Sequence, residues 1–406
     1  MDLKVFLRIP HHLKSSFLEK RCLIPSDILA TSCPTLKDPG CSPKQTGEYK
    51  IFTVPAFASS PVVFSNARPS NPSSGSTLDQ CTPKMALLRL ALLALAPTCI
   101  LSLTTPGGLA RRAVDWSKWK PGVSFQIVLH HPIKAETVAD IVPAEATVWD
   151  VDLQHAVDYD NVIPTLKSTG KIVICYFNGG AVQDWDEDLD AFPVDVIGSP
   201  LNPPYTDERY LDVRDARVVD LMKRRLERAA DIGCDGVDPD NIDAWAEDGN
   251  DPTGFSLTPS DYATYITSLA AHAHTLKTTS SRPLLLGQKN APTIAPQLSS
   301  VVDFAVLETC LGTRTSDEVE PFCADFQSYV KAGKPVFQIE YPTSVRDGVE
   351  IDQADYDYFC VDKNGNEGFS EVLKHASEQV DGWGQFCGLG RTGGRFETPT
   401  VDEDEE

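Results

Sequence analysis

The sequence predicts an α/β protein whose strands close into a (β/α)8 barrel. Short apolar runs alternate with amphipathic helical stretches from residue 113 to residue 390, which indicates a parallel sheet. There are eight such runs, and eight units fit a barrel better than an open doubly wound sheet. No GxGxxG follows the first predicted strand and no GxxxxGK[ST] loop occurs, so the phosphate-binding turn that is typical of nucleotide-binding sheets is missing.

The elements can be placed in order along the chain. The predicted strands cover residues 125–129, 147–152, 171–177, 234–238, 284–289, 304–308, 335–340 and 382–386. A helix over residues 218–232 is predicted because its apolar residues fall near one face. A second helix over residues 259–276 is marked by Thr258, an N-cap residue, followed by Pro259.

Composition and charge narrow the possible functions. The chain has 406 residues, of which 41% are hydrophobic and 23% charged, which is typical of a folded globular protein. Acidic residues outnumber basic ones 58 to 36, giving a net charge of -22. Such a charge argues against a nucleic-acid partner and favours attraction of a cationic one.

Four segments are predicted. Residues 1–84, rich in Pro and Ser, are predicted to be disordered or to lie upstream of the true translation start. Residues 85–112 resemble a signal peptide, with a possible dibasic processing site at Arg111-Arg112. The alternative, a signal anchor, is opposed by an apolar run shorter than the roughly 20 residues of a membrane span. A folded domain over residues 113–390 and a disordered acidic tail over residues 391–406 would follow, in a secreted or cell-wall-associated protein.

Six of the eleven cysteines lie in the predicted folded domain, and in an exported chain some should be paired. Cys310 with Cys323 would close a short loop, and Cys360 with Cys387 a longer one. Cys175 and Cys234 fall inside apolar runs and could be buried free thiols. Sequence spacing leaves the connectivity open, and no CxxC pair suggests structural zinc.

The predicted strands end in an unusual number of polar residues. These are Asp150 and Asp152, Tyr176 and Asn178, Asp238 and Asp240, Lys289 and Asn290, Glu308, and Glu340 with Tyr341. In a (β/α)8 barrel, side chains at the carboxyl ends of the strands line the active site. A ring of carboxylates with one lysine could hydrolyse a glycosidic bond, bind a divalent cation, or form a buried ion-pair network. No GxSxG elbow supports Ser-His-Asp catalysis.

Several of these segments together resemble a known family. They are Trp116–Gly122, Asp150-Val151-Asp152, Lys171–Gly180, Tyr210–Arg214, Gly233–Asp243, Lys289-Asn290, Leu307–Cys310 and Lys334–Pro342. In this order they are similar to glycoside hydrolase family 114, the secreted endo-α-1,4-polygalactosaminidases. The most specific block is Gly-Val-Asp-Pro-Asp-Asn-Ile-Asp, and the sequence departs from the family pattern at Asn178-Gly179-Gly180, at Gln288 and on both sides of Glu308.

The resemblance implies a (β/α)8 enzyme that cleaves α-1,4 linkages in galactosamine-containing polysaccharide with retention of configuration. It implies that Asp240 is the nucleophile and Glu308 the general acid/base. The residues implied to shape the sugar subsite are Asp150, Asp152, Tyr176, Asp238, Lys289 and Glu340. No cofactor or metal is expected, and the mature enzyme is expected to act as a monomer without a membrane span.

Three other hypotheses remain open from the sequence. The first is a barrel glycosidase that acts on a different α-linked glycan. The second is a carbohydrate-binding relative without turnover, although both Asp240 and Glu308 are present. The third is a divalent-metal hydrolase, which the scarcity of well-placed histidines disfavours.

Overall fold

The computed structural model describes residues 112–314, 320–346 and 349–401. The predictions for the extension over residues 1–84, for nearly all of the signal segment over 85–112 and for the last five acidic residues therefore lie outside the described residues. The strands are β1 (Phe125–Val128), β2 (Val148–Asp152), β3 (Ile172–Asn178), β4 (Ala181–Gln183), β5 (Ile197–Pro200), β6 (Glu208–Leu211), β7 (Gly236–Asp240), β8 (Leu285–Lys289), β9 (Phe304–Glu308), β10 (Val336–Glu340), β11 (Ser370–Leu373), β12 (Trp383–Phe386) and β13 (Arg395–Glu397).

The helices lie between these strands and after them. The α-helices are α1 (Leu153–Asp158), α2 (Val162–Ser168), α3 (Ala216–Ile232), α4 (Pro259–Ala273), α5 (Ala295–Leu298), α6 (Gln327–Lys331) and α7 (Gln353–Tyr356). Short 3-10 turns occur at Trp116–Lys118, Val138–Asp140, Leu189–Ala191, Val194–Val196, Pro292–Ile294 and Cys323–Phe326, and a π-helical turn at Asp357–Val361.

Eight parallel strands form most of one curled sheet. Their order is β1-β2-β3-β7-β8-β9-β10-β11, and β11 lies beside β1. This is the strand order of a (β/α)8 barrel. Because all eight strands run in the same direction, their carboxyl ends meet at one face of the sheet.

Seven of the predicted parallel strands are confirmed, and the eighth is wrong. The segment over residues 382–386 does form a strand, β12, but it pairs with β11 in antiparallel fashion. The eighth parallel strand is β11, which pairs with β10. Its four residues, Ser-Glu-Val-Leu, make no long apolar run, so the hydrophobic pattern does not mark it.

The amino end of the sheet is closed by aromatic rings. Phe304 begins β9 and Phe337 is the second residue of β10, and their ring centroids lie 5.8 Å apart. Trp119 packs edge-on against Phe304 at 5.6 Å. Gly287 makes room for the Phe304 ring, since a Cβ there would lie 2.4 Å from it. These aromatic rings fill the amino end of the sheet, and the polar side chains lie at the opposite, carboxyl end.

The two helices predicted from the sequence are confirmed with small shifts at their ends. Helix α3 is capped by Asp215, whose side chain accepts from the Arg217 amide at 2.8 Å, and it ends at Gly233 with φ of +108°. Helix α4 begins with a capping box between Thr258 and Asp261. These caps satisfy amide groups that the helix itself leaves unpaired.

A small antiparallel sheet, in the order β4-β6-β5, is inserted between β3 and α3. The segment of residues 179–215 that contains it is called the insertion below. Its strands are three or four residues long and partly polar, so the sequence pattern did not predict them. It lies at the carboxyl end of β3 and therefore beside the polar face of the main sheet.

Three disulfides tie the described chain together. Cys310–Cys323 and Cys360–Cys387 are paired as considered from the sequence. The expectation of free thiols at Cys175 and Cys234 is wrong, because these two residues form the third disulfide. Cys175 lies within β3 and Cys234 just before β7, so neighbouring strands bring the two sulfurs together.

The ordered domain also reaches beyond residue 390. Residues 395–397 form β13, which pairs with β12. The acidic tail was predicted to begin at residue 391, which is too early. Among the described residues, no helix is both long and apolar enough to cross a membrane.

Candidate active site

The ammonium group of Lys289, at the end of β8, lies at the centre of the polar face. Its Nζ is 2.9 Å from Glu308 Oε2, 3.3 Å from Asp240 Oδ1 and 3.9 Å from Asp238 Oδ2. The lysine is 2% exposed. Burial lowers the pKa of Lys289, but the three carboxylates outweigh burial and raise it well above its usual value. The site therefore contains a permanent cation between acidic groups.

Asp240 is held by its side chain and by its backbone. The Tyr176 hydroxyl donates to Asp240 Oδ2 at 2.7 Å. The amides of Gly179 and Gly180 both donate to the Asp240 carbonyl, at 3.0 and 2.8 Å. A Cβ at Gly180 would lie 1.7 Å from the carbonyl oxygen of Asn241, so only glycine allows this close approach.

Glu308, at the end of β9, is held in a similar way. The Tyr341 hydroxyl donates to Glu308 Oε1 in a short hydrogen bond. The backbone amide of Glu308 donates to Asn290 Oδ1 at 2.9 Å, so the residue after Lys289 fixes the strand end that carries Glu308. Each carboxylate thus receives one tyrosine hydroxyl and shares Lys289.

The backbone turns sharply after each of these strand ends. Asn241, Asn290 and Thr309 directly follow Asp240, Lys289 and Glu308, and their φ angles are +57°, +41° and +54°. Positive φ is unfavourable for non-glycine residues and most of all for a β-branched threonine. Such conformations cluster at functional sites because the surrounding contacts hold them.

Gln288 stabilises the turn after Lys289. Its buried Nε2 donates to the carbonyls of Asn290 and Ala291, both at 2.9 Å, and its Oε1 accepts from the Tyr329 hydroxyl at 2.5 Å. Asn290 and Ala291 are consecutive residues with positive φ. The departure from the family pattern at position 288 therefore has a local structural role.

Two further carboxyl groups lie buried at the site. Burial raises the pKa of Asp238 to about 7, against the opposing effect of Lys289. Burial and the charge of Asp238 raise the pKa of Asp150 well above its usual value. Neither oxygen of Asp238 accepts a hydrogen bond from the described residues, and the same holds for Asp150 Oδ1.

Two of the predicted subsite residues also bond to neighbouring backbone. Asp152 accepts from the His155 amide at 2.8 Å and caps α1. Glu340 accepts from the Leu311 amide at 3.0 Å and so holds the loop after β9. Five of the eight predicted site residues form one cluster, which consists of Lys289 and its neighbours Asp240, Glu308, Asp238 and Tyr176. Asp150 lies near this cluster. Asp152 and Glu340 support neighbouring backbone.

Glu208 of β6 was not predicted from the sequence. Its carboxylate accepts from Asn178 at 2.6 Å and from Asn241 at 3.3 Å, and Gln183 donates to it at 3.3 Å. Burial and the charge of Asp240 raise the pKa of Glu208 to about 7. No local pattern marks it, because it reaches the site from the insertion.

Two carboxylates and a lysine arranged in this way suit acid/base and nucleophilic chemistry at a glycosidic bond. Asp240 Oδ1 and Glu308 Oε2 are 3.3 and 2.9 Å from the same nitrogen, so their separation cannot exceed the sum of these distances. The half-buried position of both groups, at 22% and 27% side-chain exposure, leaves them open to a ligand from the carboxyl face.

Comparisons with known proteins agree with this chemistry. The sequence model of glycoside-hydrolase family GH114 matches residues 108–391. The chain is similar to Ega3 of Aspergillus fumigatus, whose crystal structure is a complex with galactosamine. The two share 28% identity and a TM-score of 0.56, over 68% of this chain and 100% of that one.

Another solved structure that matches is the glycoside hydrolase domain of PelA from Pseudomonas aeruginosa, at 14% identity and a TM-score of 0.46, over 65% of this chain and 98% of that one. A comparison with curated proteins gives no match. The GH114 match covers more than half of the chain and contains the Lys289, Asp240 and Glu308 cluster. The chain therefore belongs to glycoside-hydrolase family GH114 and is a glycoside hydrolase.

Proposed function

We propose that the protein is a secreted endo-glycosidase that hydrolyses α-1,4 linkages in galactosamine-containing polysaccharide with retention of configuration. Asp240 is the nucleophile and Glu308 the general acid/base. The observation that supports this assignment is the position of both carboxylates against the ammonium of Lys289, at 3.3 and 2.9 Å.

In the first step, Glu308 donates its proton to the glycosidic oxygen as the bond to the anomeric carbon breaks. Asp240 attacks that carbon and forms a glycosyl ester, while the leaving sugar departs with the proton. In the second step, Glu308 removes a proton from water, the water oxygen attacks the anomeric carbon, and the Asp240 carboxylate is released. Two inversions at one carbon give net retention.

The surrounding residues favour this division of roles. Lys289 and the Tyr176 hydroxyl stabilise the negative charge on Asp240, which keeps it available as a nucleophile. Tyr341 orients Glu308. The upper limit on the distance between the two facing oxygens is below the roughly 6.5–9.5 Å that inverting enzymes use to admit a water, which supports retention.

Charge supports the substrate class. A galactosamine polymer without acetyl groups carries ammonium groups, and a protein of net charge -22 attracts such a polycation. The rate on that polymer should fall as salt concentration rises, since salt screens this attraction. Asp238, 3.9 Å from Lys289, and the neighbouring Asp150 lie beneath the reacting groups, where their position shapes the sugar subsite.

Export is supported by the three disulfides, which form and persist in oxidising compartments. The segment over residues 85–112 acts in this proposal as a signal peptide. The mature enzyme then works outside the cell or at the cell wall, as a monomer and without a cofactor.

The test is the product profile of the purified protein on α-1,4-galactosaminan, in its acetylated and deacetylated forms. We expect the wild type to release oligosaccharides, with the anomeric configuration retained when products are followed by NMR. Asp240→Asn and Glu308→Gln should each abolish release. Initial formation of the inverted anomer would refute the nucleophile role of Asp240, and undiminished activity in either variant would refute that residue's role.

A further inference from the structure

Two large aromatic side chains of the insertion are exposed. Trp185 is 44% exposed and Tyr205 47%, whereas Trp149 of β2 is fully buried. A tryptophan or tyrosine ring that remains in solvent keeps apolar surface in contact with water, which is unfavourable. Such exposed rings commonly mark ligand-binding surfaces. The sequence alone could not distinguish ring packing from a sugar-binding surface at these positions.

The two aromatic residues lie in turns at the same end of the small sheet. Gln183 of β4 pairs with Glu208 of β6, and beyond this pair the Asp184 amide donates to the Asp207 carbonyl at 3.0 Å. Trp185 comes directly after this last bond on one strand, and Tyr205 lies two residues before it on the other. The turns that carry the two rings therefore lie side by side.

This end of the sheet is joined to the catalytic centre. The Glu208 carboxylate accepts from Asn178 and from Asn241, the residue after Asp240. Partial burial and the charge of Glu308 raise the pKa of Tyr205. The turns that carry Trp185 and Tyr205 thus lie at the end of the small sheet that joins the catalytic centre through Glu208.

Trp185 is held in place on both sides. Its ring stacks on His155 of α1, with ring centroids 5.6 Å apart and an interplanar angle of 16°. The next residue, Asp186, accepts from the Gln183 amide at 2.9 Å and from the buried Arg225 at 2.8 Å. An exposed ring that is already ordered loses little entropy on binding, so this arrangement favours recognition of a ligand.

The ring beneath Trp185 carries no charge at neutral pH. Burial lowers the pKa of His155 to about 4, so its imidazole is neutral. A neutral ring does not repel a cation above Trp185. Indole faces attract ammonium groups, and they also stack on the C–H face of a sugar ring.

We infer that Trp185 and Tyr205 form a distal sugar-binding track that holds an ammonium-bearing unit of the galactosamine polymer beyond the cleavage site. This inference rests on the proposed function and specifies how the enzyme engages a long chain. Tyr205 contacts the unit next to the catalytic centre, and Trp185 stacks on a unit farther along.

The test compares a long deacetylated α-1,4-galactosaminan with a short galactosamine oligosaccharide that fills only the positions beside the scissile bond. Trp185→Ala should raise KM for the long polymer about tenfold, corresponding to the loss of one desolvated cation–π contact. Its kcat and its activity on the short substrate should stay unchanged. Trp185→Phe should restore most of the affinity for the polymer.

Trp116→Ala is the matched control, because its indole lies at the amino end of the sheet, under the guanidinium of Arg282 at 4.5 Å. It should not change KM for either substrate. If Trp185→Ala has wild-type KM on the polymer, or loses the same factor on both substrates, the distal track is refuted while the proposed function stands. If the wild type cleaves neither substrate, the proposed function itself fails, and the inference fails with it.

Discussion

Lys289 Nζ lies 2.9 Å from Glu308 Oε2, and the same nitrogen is 3.3 Å from Asp240 Oδ1, so one buried cation links the two proposed catalytic carboxylates. The link explains how several acids can share a small buried volume. Without a cation, like charges at this spacing would favour protonation of all but one. The positive charge of Lys289 offsets this repulsion, so two carboxylates can lie against the same nitrogen.

Replacement of Lys289 by methionine should lower kcat/KM by about 10²–10³-fold, because Asp240 and Glu308 then lose the cation that both contact. Kinetics on galactosaminan, together with a melting curve, would measure the effect. The control is Lys167→Met, which removes the buried partner of Asp235 just before β7, at the amino end of the sheet. That variant should be less stable but should retain kcat/KM in its folded fraction; equal losses in both variants would contradict a catalytic effect of Lys289.

Replacement of Tyr176 by phenylalanine should lower kcat/KM by about 10–100-fold, since it removes a hydrogen bond of 2.7 Å to a charged acceptor. The aromatic ring near Lys289 remains, with Nζ 5.3 Å from its centroid. Tyr262→Phe is the control, because its buried hydroxyl donates only weakly, at 3.4 Å, to a backbone carbonyl. Similar kinetics for the two variants would argue against a role of the Tyr176 hydroxyl.

Glu340 should make stability depend on pH. Burial raises the pKa of Glu340 to about 8 in the folded protein, above the usual value of an unfolded chain near 4.3. Between these values the folded state binds the proton and the unfolded state does not, so stability falls as pH rises, by up to about 1.4 kcal/mol per pH unit. This contribution is complete at pH 4 and is lost by about pH 8.

Thermal unfolding of the wild type and of Glu340→Gln between pH 5 and pH 8 would isolate this effect. The wild type should lose melting temperature as pH rises, and the variant should lose less, because a neutral amide replaces the titrating carboxyl. Other buried acids, such as Asp152 with a pKa raised by burial to about 7, contribute equally to both proteins. Parallel curves would show that Glu340 does not titrate in this range.

Gly180→Ala should abolish most activity, because the added Cβ would meet the Asn241 carbonyl oxygen at 1.7 Å and displace the turn that follows Asp240. We expect a loss of at least about 100-fold in kcat/KM together with lower stability. Gly390→Ala is a useful contrast, since φ there is +81° but no atom lies within 4 Å of the added carbon. It should cost some stability and leave kcat/KM unchanged; a normal Gly180→Ala enzyme would contradict the tight packing of the two turns.

The hydrophobic pattern was sufficient for most of the main sheet. Strands such as β3, with seven consecutive buried residues, give continuous apolar runs that are easily recognised. Strand β11 was missed because Ser370 and Glu371 interrupt its pattern, and it is stabilised by neighbours on both sides. The insertion was missed for a similar reason, since its short strands depend on contacts with each other.

The site residues that lie at the ends of parallel strands could be predicted from the sequence. Asp240, Lys289 and Glu308 all end parallel strands, so their convergence follows from topology. Glu208 arrives from a separate sheet, Asp152 caps the helix that directly follows it, and Glu340 accepts from the Leu311 amide, which is close to it only in the folded structure. Sequence position gives the end of the strand on which a residue lies, but it does not give the partner that its side chain selects.

The Cys175–Cys234 disulfide encloses the insertion and helix α3, and the two cysteines are 59 positions apart in the sequence. Since the covalent bond and the β3–β7 pairing fix both ends of this segment, its outer turns, away from Gly179, Gly180 and Glu208, can be lengthened, shortened or replaced without moving Asp240. The outer part of the segment can therefore be exchanged as one unit between related proteins. Transferring such segments between relatives offers a route to hydrolases that bind different polymers with one unchanged reaction centre.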